Sequence, residues 1–497
     1  MSYNLALTLA AIMSDSQMTL SVLAGYSAQS CLLVMLLYWA WRVTYNRYLH
    51  PLGHYPGPLF ATISRIPYIR AYTQGRLHQY VQALHNQYGD VVRIAPDELS
   101  YRDEHAWKDI YGRSSNFPKD MRLYQWSQKR APSIVVAPDT IHRRQKRAIL
   151  QPYVNVLIER LQQRCEADPN GLTDLTEWFN YVIFDFMAHD LFGDSLRCLE
   201  EATYHPWVEV LFGTVKSWAF LAIPKYFPSI AIVLKPLVLF LCRDSLGHRN
   251  TKYRALSAKI PTRIESERTK PDFMAHVQSS SDPGSLLLPE EMLPNYSFLM
   301  MAGSETTATL LSGCTFYLLQ QLESYKRLVS EIRDRFSSSA EVSLSSLGTL
   351  PYLHSVITEA LRMYPPVPLG MPRVIPAGGA VISGRYVPEK TTVAVASWAG
   401  SRSSSNFSQP DLFLPERWLK DTPDGDNDKN GAAQPFSLGP RGCPGKSLAF
   451  MEAGLILARL LWSFDLQLLP ECSNWDDQRA FLIWEKGPLL VKLTPRH

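Results

Sequence analysis

The chain has 497 residues, 46% of them hydrophobic and 19% charged, the composition of a globular protein long enough to bury a cofactor rather than of a disordered or repetitive one. Its 50 basic and 46 acidic side chains leave a net charge of +4, too little to indicate a nucleic-acid partner. Seven cysteines without a CxxC pair indicate neither a zinc site nor a disulfide scaffold, but thiols kept in a reducing compartment.

Leu20 to Trp41 carries no formal charge over the roughly 20 residues that a membrane-spanning helix needs. No Lys or Arg precedes it as the basic region of a signal peptide, so an uncleaved anchor over 20–41 is expected, with 1–19 luminal. Arg42 and Arg47 follow the run while Asp15 is the only charge before it, which places the remainder in the cytosol. His50 to Pro58 holds three prolines and two glycines; it reads as a stiff hinge, 42–58, ahead of a domain over 59–497.

Asp90 to Ser100 reads as a strand pair. His142 to Arg147 is a basic cluster whose generic reading is a solvated charged face. Helical periodicity marks Asn155–Arg164, Thr173–Phe192, Met292–Phe336 and Leu350–Tyr364. The apolar stretch Trp207–Cys242 is interrupted by three lysines and three prolines; a helix pair is expected there, its loop dipping into a membrane surface, rather than a second span. Strand patterns return at Ala380–Ala396 and Gly487–Leu493, and Asp421–Gln434 reads as a surface loop. The fold class is thus mainly α, a large helical domain with a small β-rich part.

Three patterns stand out against this frame. Ala302-Gly-Ser-Glu-Thr-Thr307 interrupts an apolar helix with polar residues that cost stability unless they serve something; a Ser/Thr kink is the plain alternative. Glu359-Ala-Leu-Arg362 puts a Glu and an Arg on one helix face, as does Glu265-Ser-Glu-Arg268, but the former is followed by Met-Tyr-Pro-Pro and later by Pro415-Glu-Arg-Trp418. Phe436-Ser-Leu-Gly-Pro-Arg-Gly-Cys-Pro-Gly445 matches F-x-x-G-x-R-x-C-x-G, expected by chance on the order of once in ten thousand chains of this length. There Gly439 and Gly445 allow a tight turn, and Pro444 opens a helix whose positive end stabilises an anionic Cys443 sulfur.

The cysteine loop resembles that of the cytochrome P450 superfamily, whose iron carries a thiolate axial ligand. The resemblance spans nearly the whole chain. It implies the P450 fold with haem b, Cys443 on the iron, and Arg441, Arg373, His142 and Lys146 toward the propionates. Glu359 would be shared by Arg362 and Arg417 in a structural triad. Ala302 and Gly303 would give room above the iron, Thr306 would hold a water or the oxygen ligand, and Glu305 would relay protons from solvent. Phe298, Met301, Ala302, Val367–Met371 and Phe481–Ile483 are the pocket candidates.

The implied activity is insertion of one oxygen atom from O₂ into an apolar small molecule, with electrons from NADPH-cytochrome P450 reductase, at the endoplasmic reticulum membrane as a single-pass protein. Tyr48-Leu-His-Pro-Leu and Tyr55-Pro-Gly-Pro resemble filamentous-fungal enzymes that tailor terpenoids or polyketides. Two alternatives stay open: a haem-thiolate rearrangement or dehydration without reductase, and a membrane-tethered binding or scaffold protein. With a cytosolic domain, the sequons at Asn295 and Asn406 are accidental.

Overall fold

The computed structural model describes residues 29–30, 33–113, 115, 117–123, 139–168, 170–205, 208, 219–241, 289–419 and 427–496, without the side chains of 139–149, 192, 241 and 289–297. Helix α1 (Leu77–Tyr88) leads into a strand pair, β1 (Val91–Ala95) and β2 (Glu98–Tyr101), antiparallel as the β-branched run predicts. Asp103 caps α2 (Glu104–Tyr111) by accepting the Ala106 N–H at 3.0 Å. The long helix α3 (Asp139–Ala167) is followed by β3 (Leu172–Asp174) and α4 (Leu175–Phe192). Further on come α5 (Ala231–Leu241), α6 (Pro289–Gln320), α7 (Leu322–Arg335) and α8 (Pro351–Met363). The periodic run Met292–Phe336 is therefore two helices, broken where Gln321 leaves helical geometry at φ −115°, ψ 84°.

Strand β4 (Arg373–Val374) precedes the region read as strand-forming, which holds β5 (Ala380–Ile382), β6 (Arg385–Val387) and β7 (Thr392–Val395). They precede α9 (Lys446–Ser463), β8 (Phe464–Leu468), β9 (Arg479–Ala480), β10 (Trp484–Glu485) and β11 (Leu490–Pro495). A four-stranded sheet runs β1-β2-β7-β4, with β2 and β7 parallel in the register Glu98↔Thr392. A second sheet, β3-β11-β8, ties the start of α4 to the C-terminal segment.

Helix α6 crosses the middle of the molecule and packs against α4, α8 and α9. Because α4 is apolar on nearly every side, it is buried on nearly every side, and Phe179, Phe184 and Phe186 join Leu310, Leu311, Val356 and Leu455 in one core. Each such side chain contributes about 1.5–3 kcal/mol by burial.

The Glu359 network fastens this core. Its carboxylate accepts Arg362 Nε at 2.9 Å and Nη2 at 2.7 Å, Arg417 Nε at 3.1 Å, Trp418 Nε1 at 2.8 Å and the Leu414 N–H at 2.9 Å. Arg417 also pairs with Asp428. In the stretch expected to be a surface loop, Asn427, Lys429 and Asn430 are exposed, but the Asp428 side chain between them is fully buried against Arg417. Residues 421–426 lie outside the described residues. Asn406 is buried and donates to the carbonyls of Arg102 and Gly400, so this sequon is structural in use.

Of the expected anchor, 20–28, 31 and 32 lie outside the described residues, as do 1–19; residues 33–41 are helical, with Leu33, Val34, Leu36 and Leu37 exposed. Among the described residues no single helix is long and apolar enough to cross a membrane. Two helical pieces, Ala219–Tyr226 and Pro228–Phe240, meet at 94°, and Ile230, Ile232, Val233 and Phe240 are exposed on the second.

Candidate functional site

The cysteine loop is shaped by one glycine. Gly439 stands at φ +69°, and a Cβ there would lie 2.2 Å from the Tyr111 carbonyl oxygen, so only glycine lets the loop close on the end of α2. The Cys443 N–H then returns to the Phe436 carbonyl at 2.7 Å. Gly445 behaves differently from expectation: its φ of −81° suits any residue, and a Cβ there would only touch the Cys443 sulfur at 3.7 Å, an ordinary contact, so neither the backbone nor the space requires glycine. Cys443 is the exposed thiol among the described cysteines; Cys198, Cys314 and Cys472 are buried. Partial enclosure by the loop raises its pKa while the Gly445 N–H acts against that rise, and α9 begins three residues later with its positive end toward the sulfur.

Helix α6 supplies a second surface. Leu299, Ala302, Gly303 and Thr306, spaced as one helical stripe, remain half-buried, whereas Ser304, Glu305 and Thr307–Leu318 are buried. Thr306 donates its hydroxyl to the Ala302 carbonyl at 2.5 Å. A Cβ at Gly303 would come within 2.5 Å of the Met187 methyl on α4, the flexible end of that side chain, which would have to shift.

Glu305 points elsewhere. It is buried, and its Oε1 accepts from Lys486 Nζ and, at 3.4 Å, from the Thr309 hydroxyl. Lys486 also donates to Thr309 at 2.8 Å. Burial pushes the Glu305 carboxyl above its ordinary range; the Lys486 charge and the Thr309 hydrogen bond oppose that rise. Sequence reasoning did not mark Lys486. The available signal was the Glu305/Thr309 pair at i, i+4 in an apolar helix, which demands a buried polar partner from elsewhere.

Of the expected propionate contacts, Arg373 is buried at the start of β4, 5.1 Å above the Tyr111 ring, and Arg441 is exposed, donating to the Phe117 carbonyl at 2.7 Å. Lys119 joins them: its backbone bridges to Arg373, and its amine is lowered by burial and then by the charges of Arg373 and Arg441. Nothing local in the sequence singles Lys119 out. His142 and Lys146 lie on α3, in the part whose side chains are outside the described residues.

Among the pocket candidates, Met301, Leu369 and Phe481–Ile483 gather in one apolar cluster with Tyr68, Tyr72, Ala219 and Ala222. Leu482, at the turn between β9 and β10, has φ +126°, a conformation strained for any L residue.

A haem fits these surfaces. An exposed thiol is a donor that could take iron; the half-buried Phe436, Leu438, Leu448 and Phe450, with the α6 stripe, are apolar faces that a flat ring would cover. The Lys119, Arg373 and Arg441 cations suit two carboxylates.

Comparison with known proteins agrees. The cytochrome P450 family model matches residues 122–493. A cytochrome P450 monooxygenase of Stereocaulon alpinum is 41% identical over 482 residues, 93% of this chain and 94% of that protein. One from Purpureocillium lilacinum is 38% identical over 93% of this chain and 92% of its own length. Averantin hydroxylase of Dothistroma septosporum is 39% identical over 93% of this chain and 90% of its own.

Proposed function

The chain belongs to the cytochrome P450 family, and on that premise we propose that it inserts one atom of O₂ into an apolar small molecule of the terpenoid or polyketide class, by hydroxylation or epoxidation. It is a haem-thiolate monooxygenase. The observation that carries the site assignment is the exposed Cys443 thiol at the start of α9 in a molecule whose central helix leaves Ala302, Gly303 and Thr306 half-buried.

Bound haem supplies the activation of O₂ at its iron, and the remaining tasks fall to the protein. Cys443 is the metal ligand, with the α9 N-terminus stabilising its negative charge. Arg441, Arg373 and Lys119, with His142 and Lys146, hold the propionates and so set the orientation of the ring. Thr306 Oγ1, freed from the Ala302 carbonyl, holds a water over the stripe and hands on its proton; Glu305 is the acid that resupplies it. Met301, Leu369 and Phe481–Ile483 exclude water and bind substrate through apolar area, which suits a carbon skeleton with few polar handles. Electrons come from NADPH-cytochrome P450 reductase. In this reading residues 20–41 anchor the protein in the endoplasmic reticulum membrane, 1–19 are luminal, and 42–58 link the anchor to a cytosolic catalytic domain over 59–497. The averantin hydroxylase relative supports hydroxylation as the reaction class.

The test is coexpression with a reductase in a host supplied with candidate intermediates under ¹⁸O₂. One labelled oxygen in the product, dependent on NADPH, is expected. Product formed without NADPH, or without label, overturns the proposal.

A further inference from the structure

The buried pair Glu305–Lys486 is expensive for a structural contact. Both side chains are nearly free of solvent, 3% and 2% exposed, and apolar residues of similar size would fill the space without desolvating two charges. It is also incomplete: Lys486 holds Oε1 of Glu305, while Oε2 is buried with no hydrogen-bond partner. A contact selected for stability would satisfy both oxygens, as the Glu359 network does.

Placement adds to this. Glu305 and Thr309 share one side of α6, and Lys486 bonds both from the segment between β10 and β11. Ala302, Gly303 and Thr306 occupy a different, half-buried side. Lys486 is three residues beyond Ile483 in the same C-terminal segment whose Phe481–Ile483 turn lies in the apolar cluster. Other titratable groups whose charge interacts with Glu305 are Tyr204 and Tyr364, both phenols that burial keeps protonated; Lys486 is the cation that faces it among the described residues.

We infer that Lys486 is a positioning residue for proton delivery: it holds Glu305 as a carboxylate on the C-terminal-segment side of α6, leaving Oε2 as the acceptor through which the acid is reprotonated before it serves Thr306. The inference rests on the proposed role of Glu305 in the monooxygenase reaction. It makes the charge state of Glu305 a property of a residue 181 positions away in the sequence.

The test uses the full-length, haem-loaded protein with Lys486→Met, Lys486→Arg and Lys486→Met/Glu305→Gln. Infrared spectra in H₂O and D₂O at neutral pH should show no protonated-acid carbonyl stretch from Glu305 in the wild type. That band should appear in Lys486→Met, be absent from the double variant, and be absent from Lys486→Arg. Product formed per NADPH should fall several-fold in Lys486→Met, with a changed pH profile, and recover in Lys486→Arg. Should Lys486→Met fail to fold, Lys486→Gln retains a donor to Thr309 and carries the same comparison. No new band in either neutral variant overturns the inference, and so does wild-type product per NADPH in Lys486→Met. The infrared measurement needs no turnover, so it decides the role of Lys486 separately from the proposed reaction, which fails if wild-type enzyme forms no oxygenated product.

Discussion

Replacing Glu359 with Gln tests whether the buried charge network, rather than apolar packing alone, holds the core behind the cysteine loop. The wild-type carboxylate takes five donors, and Glu359, Arg362 and Arg417 have no exposed side-chain surface. Gln offers one oxygen in place of two and no charge. Arg417 keeps Asp428, but Arg362 is left with neutral partners, the carbonyls of Ser401, Pro410 and Leu412 and the Met363 sulfur, beside whatever the Gln oxygen accepts. Removing one partner of a buried pair costs about 3–5 kcal/mol. With an unfolding entropy of about 2 cal/mol/K per residue, a chain of this size loses about 1 °C of Tm per kcal/mol, so scanning calorimetry at neutral pH should show a drop of about 3–5 °C. Burial alone would raise the Glu359 carboxyl; Arg362, Arg417 and the Leu414 N–H more than offset this and hold it below its ordinary 4.5. Its contribution is therefore complete at neutral pH and is lost as pH falls through the folded-state value, below 4.5, so the gap between wild type and variant should narrow on acidification. A gap under about 1 °C at neutral pH, or one that widens in acid, refutes the reasoning.

Three further outcomes follow from the site. Gly439→Ala forces a Cβ against the Tyr111 carbonyl at positive φ, so haem occupancy by absorbance should fall sharply while far-ultraviolet circular dichroism stays near wild type; full occupancy would show that the loop tolerates another path. Thr306→Ala should keep haem but divert NADPH electrons to hydrogen peroxide, and unchanged product per NADPH would remove Thr306 from proton delivery. Lys119→Met should speed haem transfer to apomyoglobin, and an unchanged transfer rate would take Lys119 out of the propionate cluster.

Much of this molecule was legible in its sequence because local chemistry and fold agree there. The β-branched run at Val91–Ala95, the helical reading of Thr173–Phe192, whose first two residues belong to β3 instead, and the Glu359–Arg362 spacing each specify an element whose partners are nearby or of one obvious type. The cysteine loop was legible because Gly439 and the cysteine serve geometry that few residues permit. What stayed hidden depends on tertiary approach. Asp428 sits in a Gly- and Asp-rich stretch that looks solvated until Arg417 arrives beside it. Lys119 and Lys486 are ordinary lysines in sequence, made significant by Arg373 and by Glu305, which lie far along the chain. The break at Gln321 likewise carries no Pro or Gly to announce it.

The central claim is that the Cys443 sulfur binds haem iron as a thiolate, and the direct measurement is the absorption spectrum of the dithionite-reduced protein under carbon monoxide. The wild type should show the strongly red-shifted Soret band of thiolate-ligated haem, and Cys443→Ala should lose it. A wild-type band at the position given by nitrogen-ligated haem, or a red-shifted band that survives in Cys443→Ala, would contradict the account.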